Sequence, residues 1–388
     1  MASGLELSIV ASYFLYFSII TSSAFFAYLA DKFAKKSLNN EFEVNKFFWL
    51  MSFFISFIPV AFRGYGVDHI SYLNIYNSIK SAGLDYFINN YNGMPEPLYA
   101  LLNYLVANTI GNFQIVLVLS SFISLVLIYI TFARYVKKVN MFLLVWVFNF
   151  TFYFYMYGLV RMSIAVGIIT YAYKYLRNKK LFKYSVFCLL ATLFHYSAII
   201  MLPVYFLVNL DYFSFNRKNQ FSLLRFIVFT TIIIPIIFLA IIIIFPLIAN
   251  NFSWFVRYSG YFTRPSNWRV INNIAFVWPL LFLILIFKKY IVEKIDCSIF
   301  NLKLVFIMLG FGISSIFFPI HRITYYLYPA AAIAYSYIPK LSFKRNQKGP
   351  VLIFYIGILL IIGYIWIYIS VFGGDLWKPY LIPYYFNF

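Results

Sequence analysis

Long unbroken apolar runs dominate the chain, in place of the one-sided stripe of a soluble helix or the alternation of a half-buried strand. A run of about 20 residues crosses the ~30 Å hydrocarbon core of a bilayer as a helix. Spans are expected near 7–30, 47–62, 113–133, 141–157, 159–176, 222–248, 274–287, 302–319, 323–338 and 350–372. Three stretches interrupt the series. Residues 97–110 are apolar but too short to span, at roughly 21 Å of helix. Residues 184–210 are long enough but carry His195 and Pro203, and are expected to enter and return as a broken hairpin. Residues 63–96 mix polar and aromatic positions around Gly83 and the Pro95-Glu96-Pro97 break, which predicts interfacial helices within 63–112. The expected fold is all-α: a polytopic membrane protein of about ten full transmembrane helices, residues 1–388 forming one integral membrane domain.

Basic residues orient this layout. Lys32, Lys35 and Lys36 follow the first span, which places the amino terminus outside and 31–46 in the cytoplasm. Alternation puts the loops near 63–112 and 249–273 outside. The stretches 134–138, 174–183, 211–221, 288–301 and 339–349 then fall inside, and the carboxy terminus outside. No Lys or Arg precedes the first apolar run, so that run is expected to be a retained helix and not a cleaved signal. If 184–210 crossed once, the Lys-rich loops at 288–303 and 340–348 would move outside, which disfavours a single span.

Composition agrees and narrows the function. Hydrophobic residues make up 63% of the chain and charged residues 11%, too few to cover a soluble surface. The net charge of +20 reflects cytoplasmic loops and not nucleic-acid binding. With Cys188 in a span and Cys297 in a cytoplasmic loop, no disulfide framework is expected. Neither a Gly-rich nucleotide cradle, a zinc-spaced His/Cys cluster, an Asp-x-Asp metal pair nor a Gly-x-Ser-x-Gly elbow is present. No cofactor and no metal is therefore expected.

The candidate chemistry lies on the outer face. Only eight of the 31 basic residues fall there: Arg63, Lys80, Arg161, Arg257, Arg264, Arg269, Arg322 and Lys378. Six are arginine, although lysine is the commoner basic residue of the chain. Guanidinium holds phosphate bidentately and stays charged when partly desolvated, so the set points to an anionic ligand; the other reading is arginine snorkelling to headgroups. Arg161 opens a span, where an unpartnered arginine costs up to ~3 kcal/mol. His69, His195 and His321 also fall on this side. Asp68, Tyr72 and Tyr76 repeat every four residues on one helical face, a carboxylate beside aromatic planes that suits a sugar, or equally an N-cap Asp with a Tyr belt. Arg161, Arg257 and Arg322 are expected to hold the anion, with Arg63 and Arg264 behind it or at headgroups.

These residues carry a family resemblance. Arg63-x4-Asp68-x3-Tyr72 after a second span resembles the Arg…Gly-x-Asp…Tyr signature of EpsG-type polysaccharide polymerases, the Wzy-like enzymes of O-antigen and exopolysaccharide synthesis. Glu96-Pro97-Leu98 matches the family's acidic, Pro-containing start to a short helix. Arg161-Met162-Ser163-Ile164-Ala165 is similar to its Arg-Gln-x-x-Ala helix, with Met162 where Gln is usual. Leu190 to Ala198 resembles its Ala-x-x-Phe-His-x-Ser-Ala segment, and Arg322 with Tyr325 and Tyr326 a late Arg/Tyr element. The resemblance implies a metal-independent glycosyltransferase of the bacterial inner membrane, with its active site facing the periplasm. It would join undecaprenyl-diphosphate-linked oligosaccharide repeat units, working with the lipid bilayer and a chain-length regulator. A flippase of the same lipid-linked units and a membrane O-acyltransferase of surface glycans are the alternatives. Asp68 is expected to be the base and His195 to orient the acceptor or contact diphosphate.

Overall fold

The computed structural model describes residues 5–66, 68–89, 96–209, 221–240, 296–317, 321–340 and 384–386. It is 83% helix and 2% strand, as the all-α expectation requires. Helix starts are set by short polar residues placed just before apolar runs. Ser8 caps α1 (Ile9–Lys32), Asn45 caps α2 (Lys46–Ala61), Asn112 caps α5 (Phe113–Ala133) and Asn140 caps α6 (Met141–Thr151). Each accepts a hydrogen bond from a backbone N–H of the first turn. Between α2 and α5 lie α3 (His69–Asn89), which bends at Gly83 with φ 64°, and α4 (Pro97–Thr109), which begins on proline. After α6 come α7 (Val160–Arg177), α8 (Leu181–Phe194) and α9 (Met201–Asn209). The later elements are α10 (Phe221–Val228), α11 (Asp296–Phe317) and α12 (Tyr328–Tyr337).

The bundle exposes large apolar side chains and buries a set of polar ones within its apolar core. Phe14, Phe17, Phe47, Phe54, Phe182 and Leu189 are exposed on three different helices. In the interior, Ser52 donates to the Ser23 carbonyl at 2.7 Å, Asn149 to the Ser23 hydroxyl at 2.6 Å, and Tyr153 to the Ser56 carbonyl at 2.7 Å. Such a surface suits lipid and not water, and interhelical polar contacts replace the hydrophobic drive that lipid removes. Gly167 lets α5 and α7 approach closely, since a Cβ there would stand 2.8 Å from the Ser124 carbonyl oxygen.

Two helices, Phe14–Lys32 within α1 and Phe113–Ala133, are long and apolar enough to cross a membrane on their own. Six further apolar helices are shorter, so the expected count of about ten is not reached among the described residues. The spans placed at 274–287 and 350–372 lie outside those residues. The run 141–157 is not one helix: α6 ends at Thr151 and a 3₁₀ turn, Tyr153–Tyr157, follows. Helix α7 carries Arg161, Ser163, Thr170 and Lys174, yet residues 162–170 are all buried. Sheathed by its neighbours, it needs no apolar face toward lipid.

The broken hairpin is borne out as geometry, starting at Leu181. Helix α8 ends at His195, whose extended backbone (φ −156°, ψ 111°) stops the helix, and a 3₁₀ turn, Tyr196–Ile200, leads into α9. The return is antiparallel: Tyr184 donates to the Met201 carbonyl at 2.7 Å, Tyr205 to that of Lys179 at 2.7 Å, and Asn209 to that of Leu176 at 3.2 Å. Asn209 thus comes back to the level where α7 ended.

The bundle consequently has two distinct ends. At one, Lys137 N–H meets the Asp31 carboxylate at 2.6 Å and Asn140 N–H the Ser336 carbonyl at 2.9 Å, among Lys32, Lys138, Lys174 and Lys180. A short hairpin, β2 (Lys35–Lys36) with β3 (Phe42–Glu43), belongs to this end. At the other end β1 (Leu5–Glu6) pairs with β4 (Tyr385–Phe386), and Tyr384 donates to the Pro59 carbonyl beside Arg63. Both terminal segments therefore lie at the end that holds Arg63.

Candidate functional site

Glu96 is the hub of this second end. Pro97 starts α4 immediately after it, so the carboxylate sits at a helix N-terminus, where the backbone dipole favours negative charge. It caps none of the helix N–H groups. Instead one oxygen accepts from Arg161 Nη1 at 2.6 Å, and the other lies 2.9 Å from His195 Nδ1 and 3.4 Å from the Tyr196 N–H. The glutamate is 3% exposed. Burial by itself pushes its carboxyl up, but the hydrogen bond from His195 and the charge of Arg161 outweigh burial and hold it at about 2. It is a carboxylate at every physiological pH.

Two elements aim their side chains at this hub, and a third packs against one of them. Arg161 lies in the first turn of α7, where the helix dipole repels a cation, so its compensation comes from elsewhere. Besides Glu96, its guanidinium lies over the Tyr72 ring at 5.6 Å and the Tyr99 ring at 5.9 Å. His195 arrives at the break between α8 and the return, which frees the residue from helical geometry and turns Nδ1 to Glu96. The third element is the 3₁₀ turn His321–Leu327, which carries Arg322. Ser197 and Tyr326 hydroxyls meet at 2.9 Å and tie that turn to the His195 break. Arg322 is half-buried, with no ion-pair partner among the described residues.

Tyr72 marks where these charges converge. Burial raises its phenol, the positive charges of Arg161 and Arg322 pull it back, and the charge of Asp68 raises it further. Asp68, Arg161 and Arg322 thus act on one buried ring although more than 250 positions separate the first from the last, and Arg161 links that ring to Glu96 and through it to His195. Asp68 is half-buried and has no ion pair among the described residues.

Two expectations need correction. Tyr72 and Tyr76 do not offer an open stacking face: they are 5% and 2% exposed, packed against Tyr99, Phe113 and Val160. Arg161 lies over the Tyr72 plane that a sugar was expected to use. Arg63 does not reach headgroups. It is 2% exposed, and its guanidinium donates to the Tyr157 carbonyl at 2.9 Å and to that of Val60, a strut between α2 and the turn after α6. Gly66 keeps that turn close, because a Cβ there would collide with the same Tyr157 carbonyl. His69, stacked on Tyr65 at 5.9 Å, is brought down to about 4 by burial and by the Arg63 charge.

Arg257 and Arg264 lie outside the described residues, as does the His321 side chain. Tyr99 was not among the expected site residues, and Ser197 and Tyr326 belong to separate motifs whose pairing only the fold reveals. Tyr99 was discoverable, three residues after Glu96 and hence on the same face of α4. Met162, which stands where the resembling family has Gln, is buried in the core, so the departure leaves the charged cluster intact.

The comparisons bear on the whole of this arrangement. No curated protein and no solved structure matches the chain. The family model of EpsG matches residues 46–382, a stretch that contains Glu96, Arg161, His195 and Arg322 together with the helices that position them. The chain belongs to the EpsG family.

Proposed function

We propose that the protein is a membrane polymerase that joins lipid-diphosphate-linked oligosaccharide repeat units into a surface polysaccharide, working on the periplasmic side of the inner membrane. Family membership supports a membrane protein of polysaccharide synthesis with a glycosyltransferase-like activity. The observation that carries the finer reading is the convergence of Arg161, Arg322, Glu96, His195 and Asp68 at the end of the bundle opposite its lysines.

Polymerisation makes two demands. The departing lipid diphosphate develops negative charge, which preorganised cations stabilise. Arg322, without an ionic partner among the described residues, suits that role directly. Arg161, already bonded to Glu96 through Nη1, offers only its remaining edge. Arg257 is assigned to the same anion, with Arg264 behind it or at headgroups. The attacking sugar hydroxyl must lose its proton, and Asp68 and His195 both stand at the cluster to accept it. No nucleotide and no metal enters the proposal; a chain-length regulator remains part of it as a partner.

A lysine cannot lie flat between Tyr72 and Tyr99 while bonding Glu96. Losing one charge-assisted hydrogen bond of ~1.5–3 kcal/mol corresponds to about 10- to 100-fold in rate. The test is surface-polymer length in a strain whose own copy is replaced by Arg161→Lys. Short chains or single repeats are expected; full-length polymer would contradict the role of Arg161.

A further inference from the structure

We infer that His195 is the proton acceptor of the reaction, through Nε2, and that Glu96 is the positioning residue that makes it so. This rests on the polymerase reading above and deepens it.

An ionised carboxylate only accepts hydrogen bonds. Glu96 stays ionised, and the 2.9 Å contact from its Oε1 to His195 Nδ1 therefore requires the proton to sit on Nδ1. A neutral imidazole has one N–H, so the lone pair must be on Nε2. No hydrogen bond among the described residues engages Nε2, and the side chain is 21% exposed, against 4% for that of Glu96. The ring is thus anchored at its buried nitrogen and open at the other.

The anchoring is over-determined. Arg161 Nη1 holds the second carboxylate oxygen at 2.6 Å, so Glu96 cannot swing away, and the Tyr196 N–H at 3.4 Å favours the same oxygen that holds the ring. The extended backbone of His195 lifts the ring out of both helices. Asp68 lacks any such orienting contact among the described residues, which is why the assignment goes to His195.

The step balances without a further reagent. Nε2 takes the proton of the acceptor sugar's hydroxyl while that oxygen forms a bond to the donor's anomeric carbon. The bond from that carbon to the lipid diphosphate breaks, its electron pair leaving with the diphosphate. The imidazolium so formed is stabilised by the Glu96 carboxylate until Nε2 returns its proton to solvent.

The experiment joins a spectrum to a rate. Histidine ring-¹⁵N spectra of the whole protein in bilayers, with His195 assigned by its loss in His195→Gln, read the tautomer without any activity assay. The expected ring at neutral pH is protonated on Nδ1 and bare on Nε2. In Glu96→Gln it should become a mixture of tautomers. Polymerisation of lipid-linked repeat units should lose about 10²–10⁴-fold in kcat in both variants, with KM for the lipid-linked unit nearly unchanged, as loss of a general base requires. The loss in His195→Gln should also exceed that in Asp68→Asn. A ring bare on Nδ1, a ring protonated on both nitrogens at neutral pH, or a Glu96→Gln enzyme keeping more than about a tenth of its kcat would each overturn the assignment. Wild-type protein that shows the expected tautomer but polymerises nothing would overturn the polymerase reading and leave the tautomer assignment standing.

Discussion

Glu96 illustrates how far a single residue decides the site. Its carboxyl is held at about 2 against an ordinary 4.5, so folding favours the charged form. A shift of that size contributes about 3 kcal/mol of stability. Because the folded pKa is the lower one, the contribution is complete above about pH 4.5 and disappears as the pH falls toward 2. Thermal unfolding in detergent should therefore show the wild type losing stability between those values while Glu96→Gln stays flatter; parallel curves would contradict the ionised hub. Residue by residue, the sequence told less about contacts than about chemistry. Arg161 was recognisable because an arginine in an apolar run needs a partner. Arg63 was not recognisable as a strut, because one of the carbonyls it bonds, that of Tyr157, belongs to a turn 94 positions away. The four-residue spacing of Asp68, Tyr72 and Tyr76 identified a helix face but not what that face meets, and it meets Tyr99, Phe113 and Arg161.

Among elements, α5 was legible to the residue, since a capping Asn and a following Arg134 bracket its apolar run. The end of α6 was not: Phe148 to Tyr157 has no Pro or Gly to mark the change from α to 3₁₀, which packing against α7 and the Arg63 strut imposes. The hairpin of α8 and α9 was foreshadowed by His195 and by the lysines that would otherwise fall outside, and its antiparallel bonds agree. What joins that hairpin to the Arg322 turn is the Ser197–Tyr326 hydrogen bond. Tyr326→Phe removes it but keeps the buried ring and the backbone carbonyl that Tyr173 bonds. A lost neutral hydrogen bond of ~1 kcal/mol should cost about fivefold in polymerisation, with little change in melting temperature. An unchanged rate would show that the two elements need no such tie.

On the scale of the molecule, the two ends differ in kind. One gathers lysines around Asp31 and the β2–β3 hairpin; the other gathers Arg161, Arg322, His195 and Glu96 beside the paired terminal segments. If these ends face cytoplasm and periplasm, an impermeant thiol reagent applied to cells should label cysteine placed at Lys80 but not at Asn39 or Asn178. Labelling of Asn178 without Lys80 would invert the orientation. The central claim is that this one-sided cluster elongates glycans and does not move them. Its most direct test is purified protein in proteoliposomes supplied with lipid-diphosphate-linked repeat units and no nucleotide sugar. The account predicts a ladder of products growing by whole repeat units, with the repeat units themselves remaining in their original leaflet. Units that cross the bilayer and stay single would contradict it.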